Sequence, residues 1–359
     1  MEASRIRTDQ AESGMIVATD IYTQNNQLII TKGTTLDDRT ITRLRFYNIY
    51  GLLVYKGEML TAEIKEESYI EMLRNTPEFK KFNHTYVNTI SNVEDNFNSL
   101  LRSEDEIDVD KLLADTDRIL KEGRNGAHVL EMLHGIRNYD DLTYVHSLNV
   151  SLICNVFAGW LKMSEEDTKV LTLAGLLHDI GKMLIPKEII TKAGHLTKEE
   201  FDIVKTHSIK GYQALKDYSI DIRIKYVALM HHERCDGSGY PNGFVVEQIE
   251  DFARIVAIAD VYDAMTSKRR YRNAMCPFDV VEEFERDGFL KFDPRYLMTF
   301  LERIVLSYLH NIVRLNDGRE GEVVMINKLS LSRPIVRIGE EFVDLSVSKN
   351  HKLSIKAII

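Results

Sequence analysis

The spacing of apolar positions changes three times along the chain, and each change marks a different kind of structure. Over residues 13–56, short apolar runs alternate with polar turns. Met15-Ile16-Val17 and Leu28-Ile29-Ile30 read as strands flanking the polar turn Gln24-Asn25-Asn26-Gln27, with Gly33 beyond them. A short helix over Ile41–Tyr47 and a strand Leu52-Leu53-Val54-Tyr55 complete a small α+β module, assigned to residues 1–60. From residue 61 to 137 the pattern turns helical and charged. Tyr86, Ile90, Val93, Phe97 and Leu100 fall at alternating intervals of four and three, the seam of a helix that packs on another helix. That seam serves either this chain's own next domain or a homodimer formed through the helical linker. Residues 138–310 carry an almost continuous helical pattern. After His310 come the β-like runs Glu322-Val323-Val324-Met325, Ile335-Val336-Arg337-Ile338 and Phe342-Val343-Asp344, set apart by turn signals at Asn316-Asp317-Gly318 and Gly339. The expected fold is mainly α: a helical domain over 138–310 between the N-terminal α+β module and a small β appendage at 311–359.

Composition narrows what such a chain does. At 359 residues, two or three domains are expected, and the 44% hydrophobic and 28% charged fractions are those of an ordered globular protein. The longest apolar runs, such as Ile255-Val256-Ala257-Ile258-Ala259, fall far short of the roughly 20 residues of a membrane helix. Residues 1–20 carry acidic side chains and lack the apolar centre of a signal peptide, so a cytoplasmic location is expected. Cys154, Cys235 and Cys276 are odd in number and widely spaced, which argues against a disulfide framework. A net charge of −9 argues against nucleic-acid or membrane partners. An anionic ligand must then be held by metal ions or by a few placed Lys and Arg side chains.

Candidate chemistry is concentrated in the helical domain. His178-Asp179 ends an apolar helix on which Leu171, Ala174 and Gly175 share the histidine's face, and the small residues admit a second helix closely. His146 shares a face with Leu142, Val150 and Ile153. His207 shares one with Val204 and Gly211, on a helix opened by the capping box Thr197-Lys198-Glu199-Glu200. His231-His232 closes the run Tyr226–Met230, and Asp260 sits in an apolar helix where an unpaired carboxylate is costly. A shared pair of divalent ions would satisfy all seven residues. Imidazole with carboxylate and no thiolate suits Fe, Mn, Zn or Ni better than Mg or Ca.

Three blocks of these residues resemble a known family. Leu177-His178-Asp179-Ile180-Gly181-Lys182 is similar to the signature of HD-superfamily metal-dependent phosphohydrolases. His231-His232-Glu233-Arg234-Cys235-Asp236-Gly237-Ser238-Gly239-Tyr240-Pro241 resembles the extended HHExxDGxGYP motif of the HD-GYP subfamily. Ala259–Ser267 followed by Arg269 and Arg272 resembles its next block. The resemblance covers about residues 138–310. It implies a phosphodiesterase that hydrolyses cyclic di-GMP to linear pGpG, and onward to GMP in some members. The other readings are a phosphodiesterase for another cyclic dinucleotide such as cyclic GMP-AMP, and a catalytically silent cyclic-dinucleotide receptor. It further implies His146, His178, Asp179, His207, His231, His232 and Asp260 as ligands of two divalent ions, Fe or Mn, with Asp179 and Lys182 catalytic. Lys182, Arg269, Arg272 and Tyr240 are implied to hold the substrate. Members with three metals carry a Glu four residues before the first histidine; Leu142 stands there, so two metals are expected. Asp263, one turn from Asp260, either orients a metal-bound histidine or Lys182, or serves as an ion-pair partner within its helix. The Gly237–Pro241 loop is implied to contact the substrate or a diguanylate cyclase domain.

Overall fold

The computed structural model describes residues 3–22, 28–47, 49, 51–55, 73–102, 108–136, 143–192, 194–267 and 274–359. By its internal contacts the chain divides into two compact units. One comprises residues 1–83 with 123–135 and the other residues 84–122 with 136–359, so the division runs through the segment read as a linker.

In the first unit, Ala3–Arg7 pairs antiparallel with Gly51–Tyr55 and Ile21–Tyr22 pairs with Leu28–Ile30. The helix Asp38–Phe46 is capped by Asp37, whose carboxylate accepts from the Thr40 amide at 2.6 Å. Val17, Ile29, Ile30, Leu36, Leu44 and Val54 form the core. The strand expected at Met15–Val17 is a correction: only isolated bridges form there, Ile16 with Thr35 and Val17 with Val54. Gly51–Tyr55 instead pairs along its length with Ala3–Arg7, a segment with little apolar alternation to announce it. The turn expected at Gln24–Gln27 lies outside the described residues.

The second unit is built around the helices Thr143–Trp160 and Glu165–Leu177, joined by a turn in which Ser164 caps the second helix. They approach closely at Gly175, where a Cβ would lie 3.0 Å from the Cys154 Sγ and 3.1 Å from the Ser151 Cα. This is the close approach that the small residues predict. Further helices are His207–Leu215, Ile222–Met230 and Asp251–Thr266. The seam of the Pro77–Leu101 helix is used within this unit. Tyr86, Val93, Phe97 and Leu100 are buried, the Tyr86 hydroxyl donates to Asn149 Oδ1 at 2.5 Å, and the Tyr218 hydroxyl donates to the Leu100 carbonyl at 2.7 Å. Of the two uses of that seam, packing on the same chain is the one observed.

The C-terminal residues form a five-stranded antiparallel sheet in the order Glu341–Asp344, Ile335–Ile338, Glu320–Met325, Ile312–Leu315, Ile355–Ile358. The first and last strands in sequence, Ile312–Leu315 and Ile355–Ile358, were not expected; they pair with each other, and Ile312–Leu315 also pairs with Glu320–Met325. Glu285 fastens the sheet to the helical layer by accepting from the amides of Leu331 and Ser332 at 2.5 and 3.2 Å. No described helix is long and apolar enough to cross a membrane.

Candidate metal centre

Helix ends supply most of the site. His178 caps the C-terminus of Glu165–Leu177 and Asp179 follows it; His231 and His232 follow Ile222–Met230 in the same way. His146 lies in the first turn of Thr143–Trp160, and Asp260 in the interior of Asp251–Thr266. The expected capping box forms between Thr197 and Glu200, but that helix stops at Lys205 and His207 begins a new one, which corrects the single helix expected there. The amide of Thr206 reaches back to the carbonyls of Ile203 and Val204, tightening the last turn and turning His207 inward. Gly181 lets the two segments meet: a Cβ there would lie 1.9 Å from the His207 carbonyl oxygen and 2.5 Å from the Gly211 nitrogen.

The ring nitrogens facing the centre carry the chemistry. His178 Nδ1 donates to the Gly175 carbonyl at 2.8 Å, His207 Nδ1 to Val204 at 2.6 Å, and His231 Nδ1 to Val227 at 3.0 Å. His146 Nδ1 donates to Asp263 Oδ2 at 2.8 Å. Each acceptor can only accept, so Nδ1 carries a proton in all four rings; His178, His207 and His231 thereby turn Nε2 to the centre, whereas His146 Nε2 also faces a carboxylate, Asp260 Oδ1 at 2.9 Å. Asp179 stands between two sets of rings. Its Oδ1 lies 3.3 and 3.5 Å from Nε2 of His207 and His231, and its Oδ2 lies 3.3 and 3.7 Å from Nε2 of His178 and His146. One donor atom from each of Asp179, His207, His231 and His232 falls within a 4.8 Å circle of the others, as do those of His146, His178 and Asp179. Asp260 joins both sets, with Oδ1 2.9 Å from His146 Nε2 and Oδ2 3.8 Å from His232 Nδ1.

These residues fit divalent ions on their own geometry. His178 Nε2 and Asp179 Oδ1 are buried and have no hydrogen-bond partner, a costly state that a cation at the centre removes. Burial pushes His231 down to about 4, and burial with the neighbouring His231 ring holds His232 well below the usual histidine range, so both are neutral donors. Burial opposes ionisation of Asp179, but the Lys182 ammonium and the His178 ring hold its carboxyl well below the ordinary value. Burial likewise opposes charge on His146, yet Asp260 and Asp263 push it up to about 9. Neutral imidazoles such as those of His231 and His232, beside the ionised Asp179 carboxylate, are donors suited to a transition metal.

Around this cluster, Lys182 Nζ donates to Asp179 Oδ2 at 2.5 Å. The Tyr240 ring packs against His232 with centroids 4.6 Å apart. Asp263 orients a histidine, His146, rather than Lys182. Arg269, Arg272 and Leu142 lie outside the described residues. Two participants escaped the sequence reading. Glu233 is buried, and its carboxylate accepts from the amides of Asn242 at 2.8 Å and Phe244 at 3.0 Å, pinning the Gly237–Pro241 loop to the cluster. The loop also needs Gly239, where a Cβ would meet the Arg234 nitrogen at 2.4 Å. Asn149 donates to Asp263; its position three residues after His146, on the same helix face, was the available signal.

A family model described as HD domain matches residues 111–296. The chain is 37% identical over 205 residues to the cyclic di-GMP phosphodiesterase PA4108 of Pseudomonas aeruginosa, covering 56% of this chain and 49% of that protein. It is 38% identical over 177 residues to a cyclic di-GMP phosphodiesterase of Thermotoga maritima, covering 48% of each. It is 41% identical over 133 residues to the 3'3'-cGAMP-specific phosphodiesterase 1 of Vibrio cholerae, covering 37% of this chain and 31% of that protein. The chain thus spans about half the length, or less, of these curated relatives. Among solved structures, Bd1817, an HDG"Y"P protein from Bdellovibrio bacteriovorus, aligns with a TM-score of 0.46 at 15% identity, over 84% of this chain and 99% of that one.

Proposed function

The chain belongs to the HD domain family, with the sequence block of its HD-GYP branch, and on that premise we propose that it hydrolyses the phosphodiester bond of cyclic di-GMP. The observation that supports this most directly is the convergence of four histidine Nε2 atoms on both oxygens of the buried Asp179 carboxylate. His146, His178, Asp179, His207, His231, His232 and Asp260 would hold two divalent ions, iron or manganese, with Asp179 shared between the two sets. Ions there supply Lewis acidity for phosphoryl oxygens and lower the pKa of water at neutral pH.

The protein's own groups bind and orient. Lys182, one-fifth exposed beside Asp179, offers its ammonium to a non-bridging phosphate oxygen. Arg269 and Arg272 follow Ser267, whose hydroxyl donates to Asp263 at 3.0 Å, and they provide forked cations for the second phosphate. Tyr240 lies over His232 and can cover a base or ribose. The same loop, with exposed Phe201 and Val245 near it, is the surface we assign to a diguanylate cyclase domain. With the Pro77–Leu101 seam buried within the chain, a homodimer would have to use another face of that helix. The free thiols Cys154, Cys235 and Cys276 fit a reducing compartment, and on that ground we place the enzyme in the cytoplasm.

A second reading, cyclic GMP-AMP as substrate, is favoured by the Vibrio cholerae relatives named for it. One experiment separates the readings: purified protein loaded anaerobically with iron or with manganese is incubated with cyclic di-GMP, cyclic GMP-AMP and cyclic di-AMP, and the products are resolved by chromatography. Conversion of cyclic di-GMP to pGpG or GMP supports the proposal. Faster turnover of cyclic GMP-AMP replaces the substrate, and tight binding with no product marks a receptor.

A further inference from the structure

A line of hydrogen bonds runs from the Pro77–Leu101 helix to the metal centre. The Tyr86 hydroxyl donates to Asn149 Oδ1 at 2.5 Å, Asn149 Nδ2 donates to Asp263 Oδ1 at 3.1 Å, and Asp263 Oδ2 accepts from His146 Nδ1 at 2.8 Å. Every role in this line has one direction. Turning the Asn149 amide over would set its carbonyl against the Asp263 carboxylate, so the observed orientation is the one the charges select. With its amide and the Ser267 hydroxyl both on Oδ1, Asp263 is held in place to take the Nδ1 proton through Oδ2. His146 then presents Nε2, not Nδ1, to Asp179 and Asp260.

We propose that Tyr86 and Asn149 are positioning residues for the metal centre, and that the Pro77–Leu101 helix controls metal occupancy through them. The inference rests on the assignment of His146 as a metal ligand. Tyr86 is fully buried, so no solvent replaces its hydroxyl if the helix shifts or the oxygen is removed. Asn149 would then lose the partner that sets its carbonyl, its amide would no longer be aimed at Asp263 Oδ1, and the hold of Asp263 on the His146 ring would loosen. Tyr86 belongs to a helix that precedes the residues of the family match, 111–296. The helical segment thereby acts on the site by a defined contact rather than by proximity.

The test compares two hydroxyl deletions that both remove a contact of this helix. Tyr86→Phe breaks the line to His146; Tyr218→Phe breaks only the bond to the Leu100 carbonyl. Manganese affinity of each metal-stripped full-length variant is measured by electron paramagnetic resonance titration, with circular dichroism to show that the fold is kept. Tyr86→Phe should weaken manganese binding by about tenfold, the low end for groups that orient a ligand, and Tyr218→Phe should leave it unchanged. Asn149→Ala should weaken it at least as much, and the double variant Tyr86→Phe/Asn149→Ala no more than Asn149→Ala alone, since both act through Asp263. Wild-type affinity in both Tyr86→Phe and Asn149→Ala, with wild-type hydrolysis intact, overturns the inference and leaves the proposed activity standing. A wild-type protein that binds no manganese and hydrolyses nothing overturns both. Equal losses in Tyr86→Phe and Tyr218→Phe show a general effect of loosening the helix, and also overturn it.

Discussion

Two clusters of buried charge in this chain are built in opposite ways. In the C-terminal sheet, the buried Glu322 carboxylate is served on both oxygens, Oε1 by His310 Nδ1 at 2.9 Å and Oε2 by Arg337 at 2.6 Å. In the helical core, Asp179 has one oxygen on Lys182, while the other lies among histidine rings and accepts from none of them. A charge taken out of water must be paired, so the first arrangement closes on itself as a structural element. The second gathers five imidazoles and two carboxylates and leaves His178 Nε2 and Asp179 Oδ1 without a hydrogen-bond partner, a state an added cation would relieve. Closure marks a cluster that holds the fold together. Unpartnered atoms on residues that converge mark the second as the candidate binding centre.

The contrast can be broken most sharply at its centre. His178→Ala with Asp179→Ala should abolish turnover and strip the metal while helical content stays near wild type, because the surrounding helices have their own apolar core. Elemental analysis beside product chromatography checks this, and unchanged metal content would end the ligand assignment. Wild-type protein loaded anaerobically with iron should carry close to two ions per chain; a well-occupied third would contradict the expectation drawn from Leu142. Arg269→Ala or Arg272→Ala should keep the metal and weaken cyclic di-GMP binding about 10- to 150-fold, the worth of a charge-assisted hydrogen bond of roughly 1.5–3 kcal/mol. Lys182→Ala should lower kcat as well, since its ammonium sits beside the centre. On the closed side of the comparison, Glu322→Gln should destabilise the chain by about 1–3 kcal/mol in urea unfolding and leave metal content and kcat untouched. A loss of metal in that variant would show that the two clusters are coupled. Smallest should be Glu233→Gln, which weakens the hold on the Asn242 and Phe244 amides and raises KM by no more than about tenfold with metal retained.

Local chemistry determined much of this protein from the sequence alone. The capping box at Thr197 and Glu200, the small-residue approach at Gly175 and the turns at Gly318 and Gly339 all form where residue type and spacing place them, since each depends on neighbours a few positions away. That the seven histidines and aspartates on apolar helix faces would gather was legible too, because such side chains have few other means of satisfaction. Contacts between distant segments decided the rest. The strand Ala3–Arg7 exists through Gly51–Tyr55, whose other edge makes only an isolated bridge to Val17. The seam at Tyr86 suited either a second chain or this one; the fold buries it here and brings its hydroxyl to Asn149. Asp263 had three plausible roles in sequence, orienting a histidine, orienting Lys182 or pairing within its own helix, and the crossing of the Thr143–Trp160 and Asp251–Thr266 helices brings it to His146. Which ring nitrogen each histidine turns to the centre follows from the acceptor on its far side. That acceptor is a local carbonyl for His178, His207 and His231, but for His146 it is a carboxylate on another helix, so that orientation is a tertiary property.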